Sequence, residues 1–370
     1  MKRCYIIYLQ LILLFAACTK DEPAISNIAE KTIFIYMAAD NNLYRNAQAD
    51  IQEMLSCEIP NNYNLLIYVD APLWVDEETP QLFKVQSGEL ISVKRYESHN
   101  SASREVLKQV TNDMINNFEA ETYDLILWSH GTGWLPENIF NNLTKSFGKE
   151  DNSEIEITDL AKALPIKFKC IIFDACLMGG IEVYYQLRNK ADIIIASPTE
   201  TLVAGLPYDE ILPLLFISSP DYAEIARKYM SYYKNQTGVL QSATISVVDT
   251  RQLDTLVGLL KNTVVTGNID DIYNSDKMQK YDLLNNSIFY DFMDYIKNIV
   301  SSENHIASIE QQMSEIVIYN DFTPYFLNKL KIINSCGISI YVSYGNRQLD
   351  EAYRQLDWYL DTGFGLYGEP

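Results

Sequence analysis

Short apolar runs recur along the first half of the chain, without a polar residue at every second position. They cover residues 32–38, 64–70, 123–129, 168–174 and 192–197. Continuous apolar runs are typical of strands that are covered on both faces of a sheet. We therefore predict that these five segments are buried strands.

The segments between these runs have the spacing of amphipathic helices. Residues 42–56 place Leu43, Ala47, Ile51 and Leu55 on one helical face, and residues 101–118 show the same periodicity. Residues 81–96 predict a hairpin or two short strands. Strands joined by helices favour right-handed crossovers and a mostly parallel sheet. The predicted fold class is an α/β three-layer sandwich with a mostly parallel central sheet.

The second half of the chain repeats this pattern less clearly. Helices are predicted over residues 179–189, 219–235, 251–264, 286–301 and 304–319, and strands over residues 243–249 and 337–343. The polar stretch 134–156 predicts an exposed loop. For a chain of 370 residues, we expect one large α/β core over residues 31–250. Residues 251–370 then form a mixed C-terminal portion of helices and a strand that packs on the core.

The first residues have the pattern of a processing signal. Lys2 and Arg3 precede an apolar run over residues 5–15, and Ala16-Ala17-Cys18 follows. This arrangement resembles a bacterial lipoprotein signal, although Phe15 stands where such signals usually have Leu. It implies removal of residues 1–17, lipid attachment to Cys18 and a polar tether over residues 18–30. The alternative is an ordinary signal peptide or membrane anchor.

The predicted location follows from this signal. A lipoprotein is exported and held at a bacterial membrane by its lipid, and the acidic residues of the tether resemble surface-export signals. We therefore expect the outer membrane or the cell surface.

The charge of the chain excludes one class of partner. With 29 basic and 49 acidic residues, the formal net charge is −20. Such a protein repels phosphate backbones, so nucleic acid is not expected as a partner. The acidic surface either serves solubility or favours basic substrates, and net charge alone does not distinguish these roles.

The cysteines and histidines do not predict a metal site or a disulfide framework. Apart from Cys4 and Cys18, the chain has four scattered cysteines and no C-x-x-C pair: Cys57, Cys170, Cys176 and Cys336. None of the three histidines lies at ligand spacing from another histidine or a cysteine. We predict no metal and no required cofactor.

Two strand ends carry residues suited to nucleophilic catalysis. His130 follows the run 123–129, and Cys176 follows the run 168–174. In open parallel sheets, ligands bind beyond the carboxyl ends of the strands. Neighbouring strands would therefore bring the imidazole and the sulfur together, although each residue taken alone is more often structural. Ser129 is a weaker nucleophile candidate because no G-x-S-x-G elbow surrounds it.

These residue types fit acyl transfer through a thiolate. Cys176 precedes the predicted helix 179–189, whose positive end would lower the pKa of the thiol. His130 can protonate a leaving amine. The N–H groups of Gly131 and Cys176 could form an oxyanion hole, because Gly131 allows close approach of the backbone.

Four motifs resemble those of the clostripain-like cysteine peptidases. They are MAADNNL at residues 37–43, WSHGTGW at 128–134, FDACLMG at 173–179 and ASPTE at 196–200. The resemblance extends from about residue 31 to about residue 208. It implies a caspase-like fold, a His130–Cys176 dyad and endopeptidase activity after Arg or Lys, with a peptide or protein as substrate.

The resemblance also implies a specificity pocket. Asp174 matches the acidic residue at its base, and a carboxylate can pair with a guanidinium or an ammonium group. The alternative for Asp174 is a structural role that caps the strand-to-helix turn. Asn41 and Thr199 are candidates for the same pocket, and Glu200 and Asp209 are weaker acidic candidates.

Two regulatory properties of the family can be considered for this chain. Some members cut themselves between the two motifs, and here that stretch contains Lys145 and Lys149. Either lysine is a self-cleavage candidate or an ordinary loop residue. Some relatives respond to calcium, but the absence of EF-hand spacing leaves no calcium site to assign.

The sequence thus predicts a lipoprotein cysteine endopeptidase. Two alternatives remain. One is a surface binding lipoprotein on a caspase-like fold with a vestigial dyad, and the other is a different thiol acyl-transfer enzyme.

Overall fold

The computed structural model describes residues 28–71, 80–136, 147–150, 153–261, 263 and 277–366. The proposed signal segment, Cys18, most of the tether and Lys145 lie outside these residues. Within the described part of the chain, no helix is both long enough and apolar enough to cross a membrane.

A nine-stranded sheet forms the middle layer of the protein. Its strands are β1 (Ala29–Ala38), β2 (Tyr63–Asp70), β3 (Gln81–Gln86), β4 (Glu89–Arg95), β5 (Ala120–Trp128), β8 (Phe168–Asp174), β9 (Ala191–Ala196), β10 (Thr244–Asp249) and β12 (Val317–Phe322). They lie in the order β12-β10-β9-β8-β5-β1-β2-β3-β4. The central strands β9, β8, β5, β1 and β2 are parallel. All five predicted buried strands are therefore confirmed.

Antiparallel strands flank this parallel centre on both sides. The predicted hairpin 81–96 is β3 and β4, which extends the sheet beyond β2. On the other side, β10 pairs antiparallel with both β9 and β12. Three short pairs lie outside the sheet: β6 (Phe147–Glu150) with β7 (Ser153–Ile155), β11 (Phe289–Asp291) with β15 (Ser339–Tyr341), and β13 (Tyr325–Phe326) with β14 (Leu330–Lys331).

Helices cover both faces of the sheet, because alternate strand residues point to opposite sides. One face packs on α1 (Tyr44–Leu55), α5 (Tyr208–Leu215) and α6 (Tyr222–Lys234). The other packs on α2 (Arg104–Asn117), α3 (Ile157–Ala163), α4 (Ile181–Gln186), α7 (Leu253–Leu260), α8 (Phe292–Ile299), α9 (Glu303–Ile316), α10 (Arg347–Tyr353) and α11 (Asp357–Thr362). In β1, Phe34 and Tyr36 face the second group, whereas Ile33 and Ile35 face the first. The predicted three-layer α/β sandwich is confirmed.

Several predicted boundaries are wrong. The helix predicted over residues 286–301 contains β11 before α8 begins, and the one over 304–319 ends at Ile316, where β12 begins. Strand β12 joins the central sheet, so residues 251–370 complete this sheet as well as packing on it. Ala29 and Glu30, assigned to the tether, already belong to β1.

The exposed loop predicted over residues 134–156 is also wrong in its described parts. Trp134 is 1% exposed and Phe147 is fully buried. The ring of Trp134 packs edge-on against Tyr341 and Tyr353, so the stretch is anchored by the C-terminal portion. Sequence periodicity missed this because its apolar residues are few and widely spaced.

Candidate active site

The ends of β5 and β8 bring the two candidate catalytic residues to one edge of the sheet. Trp128 lies opposite Asp174 in the parallel register, and the N–H of Ser129 donates to the Asp174 carbonyl at 3.3 Å. His130 and Cys176 follow directly and line the same cavity of about 200 Å³. The two side chains therefore lie at the same edge of the sheet.

The turn after β8 holds Cys176 in place. Leu177 adopts a left-handed backbone conformation with φ 61°, which costs a non-glycine residue about 1–2 kcal/mol. Its N–H donates to the Thr199 carbonyl at 2.8 Å, and the N–H of Gly179 donates to the Ser197 carbonyl at 2.8 Å. Backbone strain of this kind is typical of functional turns.

Gly131 permits the close contact between the two strand ends. A Cβ atom at this position would lie 2.7 Å from the carbonyl oxygen of Cys176 and 3.0 Å from the Cβ of Ala175. Any side chain would therefore force the His130 segment away from the Cys176 segment. On the other side, the N–H of Gly148 donates to the His130 carbonyl at 3.0 Å.

The Cys176 thiol is held by the segment that follows β9. The N–H of Thr201 donates to Sγ at 3.3 Å, and the Thr201 hydroxyl lies 3.5 Å from Sγ. Burial raises the pKa of the thiol, although the contacts to Thr201 lower it in part. The predicted lowering of this pKa by a helix end is wrong, because α4 begins only at Ile181 and has six residues.

His130 is also neutral at pH 7 in this arrangement. Its Nε2 lies 2.9 Å from the Oδ1 of Asn42. Burial, and then the positive charge of Lys149, lower the pKa of the imidazole to about 4. A neutral thiol and a neutral imidazole therefore line the same cavity.

Asp174 lies on the cavity wall in a tightly packed setting. Its Oδ2 accepts from the N–H of Leu206 at 3.1 Å and from the hydroxyl of Tyr208 at 3.0 Å. Gly205 has φ +58°, and a Cβ there would lie 2.6 Å from Oδ2. Asp174 thus holds the 202–208 segment in place. Its side-chain contacts do not indicate the alternative role, in which it would cap the strand-to-helix turn that follows β8.

The lining of this cavity favours a cationic group. Asp174 and Glu200 line it, and no Lys or Arg is among its described lining residues. Burial raises the pKa of Asp174 to about 6, so this carboxyl is mainly ionised at neutral pH. Burial also raises the pKa of Glu200.

Asp50 is a further buried carboxyl group beside this cavity that the sequence did not reveal. It projects from α1, is 4% exposed and accepts from the Nε1 of Trp128 at 2.7 Å. Burial, and then the charge of Asp174, raise the pKa of Asp50 to about 8. The signal in the sequence is weak, because an Asp in an amphipathic helix is ordinarily read as exposed.

Replacing Asp50 by asparagine should change how stability depends on pH. The folded protein keeps the Asp50 proton up to about pH 8, whereas the unfolded chain loses it near the ordinary value of 3.8. This group therefore makes the folded state less stable as pH rises between these values. Asparagine still accepts from Trp128, so we expect the variant to gain up to about 4 kcal/mol relative to the wild type between pH 5 and pH 8.5.

Urea unfolding at both pH values measures this gain. Asp209→Asn, a change at an exposed carboxylate of α5, is the matched control and should show no such gain. An Asp50→Asn difference that is the same at both pH values would contradict the assignment.

Two predicted pocket residues have other surroundings. The Asn41 side chain binds the Ala38 and Lys149 carbonyls and the N–H of Leu43, at the turn between β1 and α1. Thr199 is fully buried and contacts Ser197 and Thr244. Neither is among the cavity-lining residues.

Thr201 lines the cavity in place of Thr199. Sequence reasoning missed Thr201 because the motif 196–200 stops one residue before it. It also missed Asn42, which lies inside the motif 37–43 and contacts His130.

The remaining candidates can also be located. Asp209 is exposed in the first turn of α5. Lys149 is half-buried in β6, where its carbonyl accepts from the Asn41 side chain at 2.8 Å, and not in an exposed loop as predicted. Among the described residues, no group of three or more His, Cys, Asp or Glu side chains is arranged to hold a metal ion.

The chain is similar to known proteins over most of its length. The model of the clostripain family matches residues 35–366. Clostripain from Hathewaya histolytica is 30% identical in a match that covers 49% of this chain and 41% of that protein. The chain therefore spans less than half the length of this curated relative.

Solved structures cover the chain more fully. An inactive zymogen C11 protease from Parabacteroides distasonis is 34% identical, with a TM-score of 0.78 over 90% of this chain and 98% of the other. A secreted C11 cysteine protease from Bacteroides thetaiotaomicron, solved with an irreversible peptide inhibitor, is 28% identical, with a TM-score of 0.76 over 90% and 99%.

Proposed function

The chain belongs to the clostripain family, and we propose that it is a cysteine endopeptidase with Cys176 as nucleophile and His130 as proton-transfer group. The observation that carries this proposal is the shared cavity at the ends of β5 and β8, which both side chains line. A relative bound to an irreversible peptide inhibitor supports a peptide substrate.

The reaction follows from the neutral state of both groups. As the sulfur attacks the scissile carbonyl carbon, the thiol proton passes to the imidazole, which is a general base at that step. The N–H groups of Gly131 and Cys176 stabilise the negative oxygen. The imidazolium of His130 then protonates the leaving amine as the C–N bond breaks, and water hydrolyses the thioester to release the acid and restore the thiol.

The proposed specificity is for Arg or Lys on the acyl side of the cleaved bond. The carboxylate of Asp174 lies on the cavity wall, and the hydrogen bonds from Leu206 and Tyr208 both end on Oδ2. The other carboxylate oxygen of Asp174, Oδ1, is thus the one suited to a guanidinium or ammonium group. The apolar walls from Leu43, Trp128 and Leu202 fit the aliphatic part of such a side chain.

Irreversible labelling tests the proposed function directly. A peptidyl acyloxymethyl ketone that ends in Arg or Lys should alkylate one sulfur, Cys176, with loss of its carboxylate leaving group, and mass spectrometry identifies the modified residue. We expect Cys57, which is 8% exposed, to stay unmodified. A folded protein that neither reacts at Cys176 nor cleaves basic peptides would have a vestigial site and not an active one. If the chain is instead an acyl-transfer enzyme, product analysis with an added amine acceptor would show the acylated amine.

The maturation steps are further parts of the proposal. Lipid attachment at Cys18 would anchor the exported enzyme to a membrane. Self-cleavage after Lys149 would first require β6 to unpair from β7. A peptide bond that is paired within a hairpin cannot enter a protease active site as a free extended segment. Lys145 remains the alternative cleavage position.

A further inference from the structure

We propose that Asn42 is a positioning residue that fixes the ring orientation and the tautomer of His130. This inference rests on the proposed function, in which the imidazole takes the proton of Cys176. It adds a third strand end to the site, because Asn42 follows β1, the neighbour of β5 in the sheet.

The contact between the two side chains determines which nitrogen carries the proton. The Oδ1 of Asn42 lies 2.9 Å from the Nε2 of His130. An amide oxygen only accepts hydrogen bonds, so Nε2 is the protonated nitrogen and Nδ1 keeps its lone pair. Nδ1 is then the atom that can take the thiol proton. A ring turned by 180° would lose this contact.

The turn before α1 places the exposed side chain of Asn42 against His130, which lines the cavity. The side chain of Asn41 donates to the Ala38 carbonyl at 3.1 Å and to the Lys149 carbonyl at 2.8 Å, and it accepts from the N–H of Leu43 at 2.8 Å. These bonds tie the turn to the end of β1 and to β6. Asn41 therefore acts on the site through its neighbour, which gives each of the two successive asparagines of the motif 37–43 its own role.

A neutral partner suits the proposed mechanism. Charged or titratable groups near His130 are Lys149 of β6 and, around the cavity, Cys176, Asp174 and Glu200. A carboxylate in contact with the ring would favour the imidazolium, which cannot take a proton. An amide oxygen orients the ring without this effect. The hydrogen bond becomes charge-assisted only after proton transfer, so it stabilises the reaction step more than substrate binding.

The first test is kinetic. Asn42→Ala should lower kcat by about 10- to 100-fold, since a hydrogen bond to a charged group is lost in the reaction step, and KM should change little. Asn42→Asp restores an acceptor, so it should recover part of kcat at high pH and move the acidic limb of the pH profile upward. Asn117→Ala, a change at the end of α2, is the matched control and should retain wild-type kcat.

The second test is independent of turnover. The chain has three histidines, so ¹⁵N NMR of the imidazoles can follow His130 in the Cys176→Ala background. We expect the Nε2–H tautomer when Asn42 is present and a mixture of both tautomers when Asn42→Ala is added. An unchanged tautomer together with wild-type kcat would overturn the positioning role. Absence of turnover in the wild type would instead overturn the proposed function and leave the NMR test to decide the role of Asn42.

Discussion

Cys176→Ala should lower the turnover of basic peptide substrates by about 10⁵-fold or more, which is the scale seen when a protease loses its nucleophile. The alanine has no lone pair with which to attack, so the thioester cannot form. Turnover of Arg- and Lys-containing fluorogenic peptides, expressed per mole of folded protein for both the variant and the wild type, measures this loss.

The fold should tolerate the change. The hydrogen bonds of the Cys176 Sγ go to Thr201, and alanine keeps the Cβ that packs on the core, so the thermal midpoint should shift by little. Cys57→Ser is the matched control, since its Sγ lies away from the cavity and donates to the backbone carbonyls of Glu53 and Tyr208. Comparable activity in the Cys176→Ala protein and the wild type would remove Cys176 from the mechanism.

The second large effect is expected at the proposed specificity carboxylate. Asp174→Asn should lower kcat/KM for Arg substrates while leaving citrulline substrates nearly unchanged. Citrulline has the shape of arginine without its charge, so the comparison isolates the ion pair. Removing one partner of a buried charge pair costs about 2–5 kcal/mol, which corresponds to roughly 30- to several-thousand-fold. Asparagine can still accept from Leu206 and Tyr208, so the 202–208 segment should keep its place.

The pH dependence of the preference for Arg tests the role of the same carboxyl group independently. Because the pKa of Asp174 is raised to about 6, the wild-type preference for Arg over citrulline should fall as pH falls through this value. The Asp174→Asn variant should show a preference that does not change with pH, whereas Asp209→Asn should behave as the wild type. Equal losses for Arg and citrulline substrates would mean that Asp174 maintains the shape of the pocket and does not pair with the charge of the substrate.

The candidate site was only partly predictable from the sequence. His130 and Cys176 could be paired because each follows a buried strand, and parallel strands end at the same edge. Asp174 could be placed for the same reason, two residues before Cys176. Asp50 could not, because its burial depends on Trp128, which lies in a different element and contacts it only in the folded protein.

Local sequence also misled at two points. Asn41 was predicted to line the specificity pocket, but its side chain binds within the turn between β1 and α1 and to the Lys149 carbonyl. Its neighbour Asn42 contacts the imidazole. The expected low pKa of Cys176 relied on a helix starting close to the sulfur. The helix α4 begins only at Ile181 and is too short to act on the sulfur. Burial decides this pKa instead, and burial is a property of the assembled site.

By itself, the sequence determined the strands of the parallel centre, the helices that cover them and the two residues at adjacent strand ends. These follow from hydrophobic periodicity and chain order, which are local. Only the tertiary structure decided the protonation states of Cys176 and His130, the carboxyl group of Asp50 beside the pocket and the contact of Asn42 with the ring. Desolvation and hydrogen bonding across separate elements depend on distances that no stretch of sequence contains.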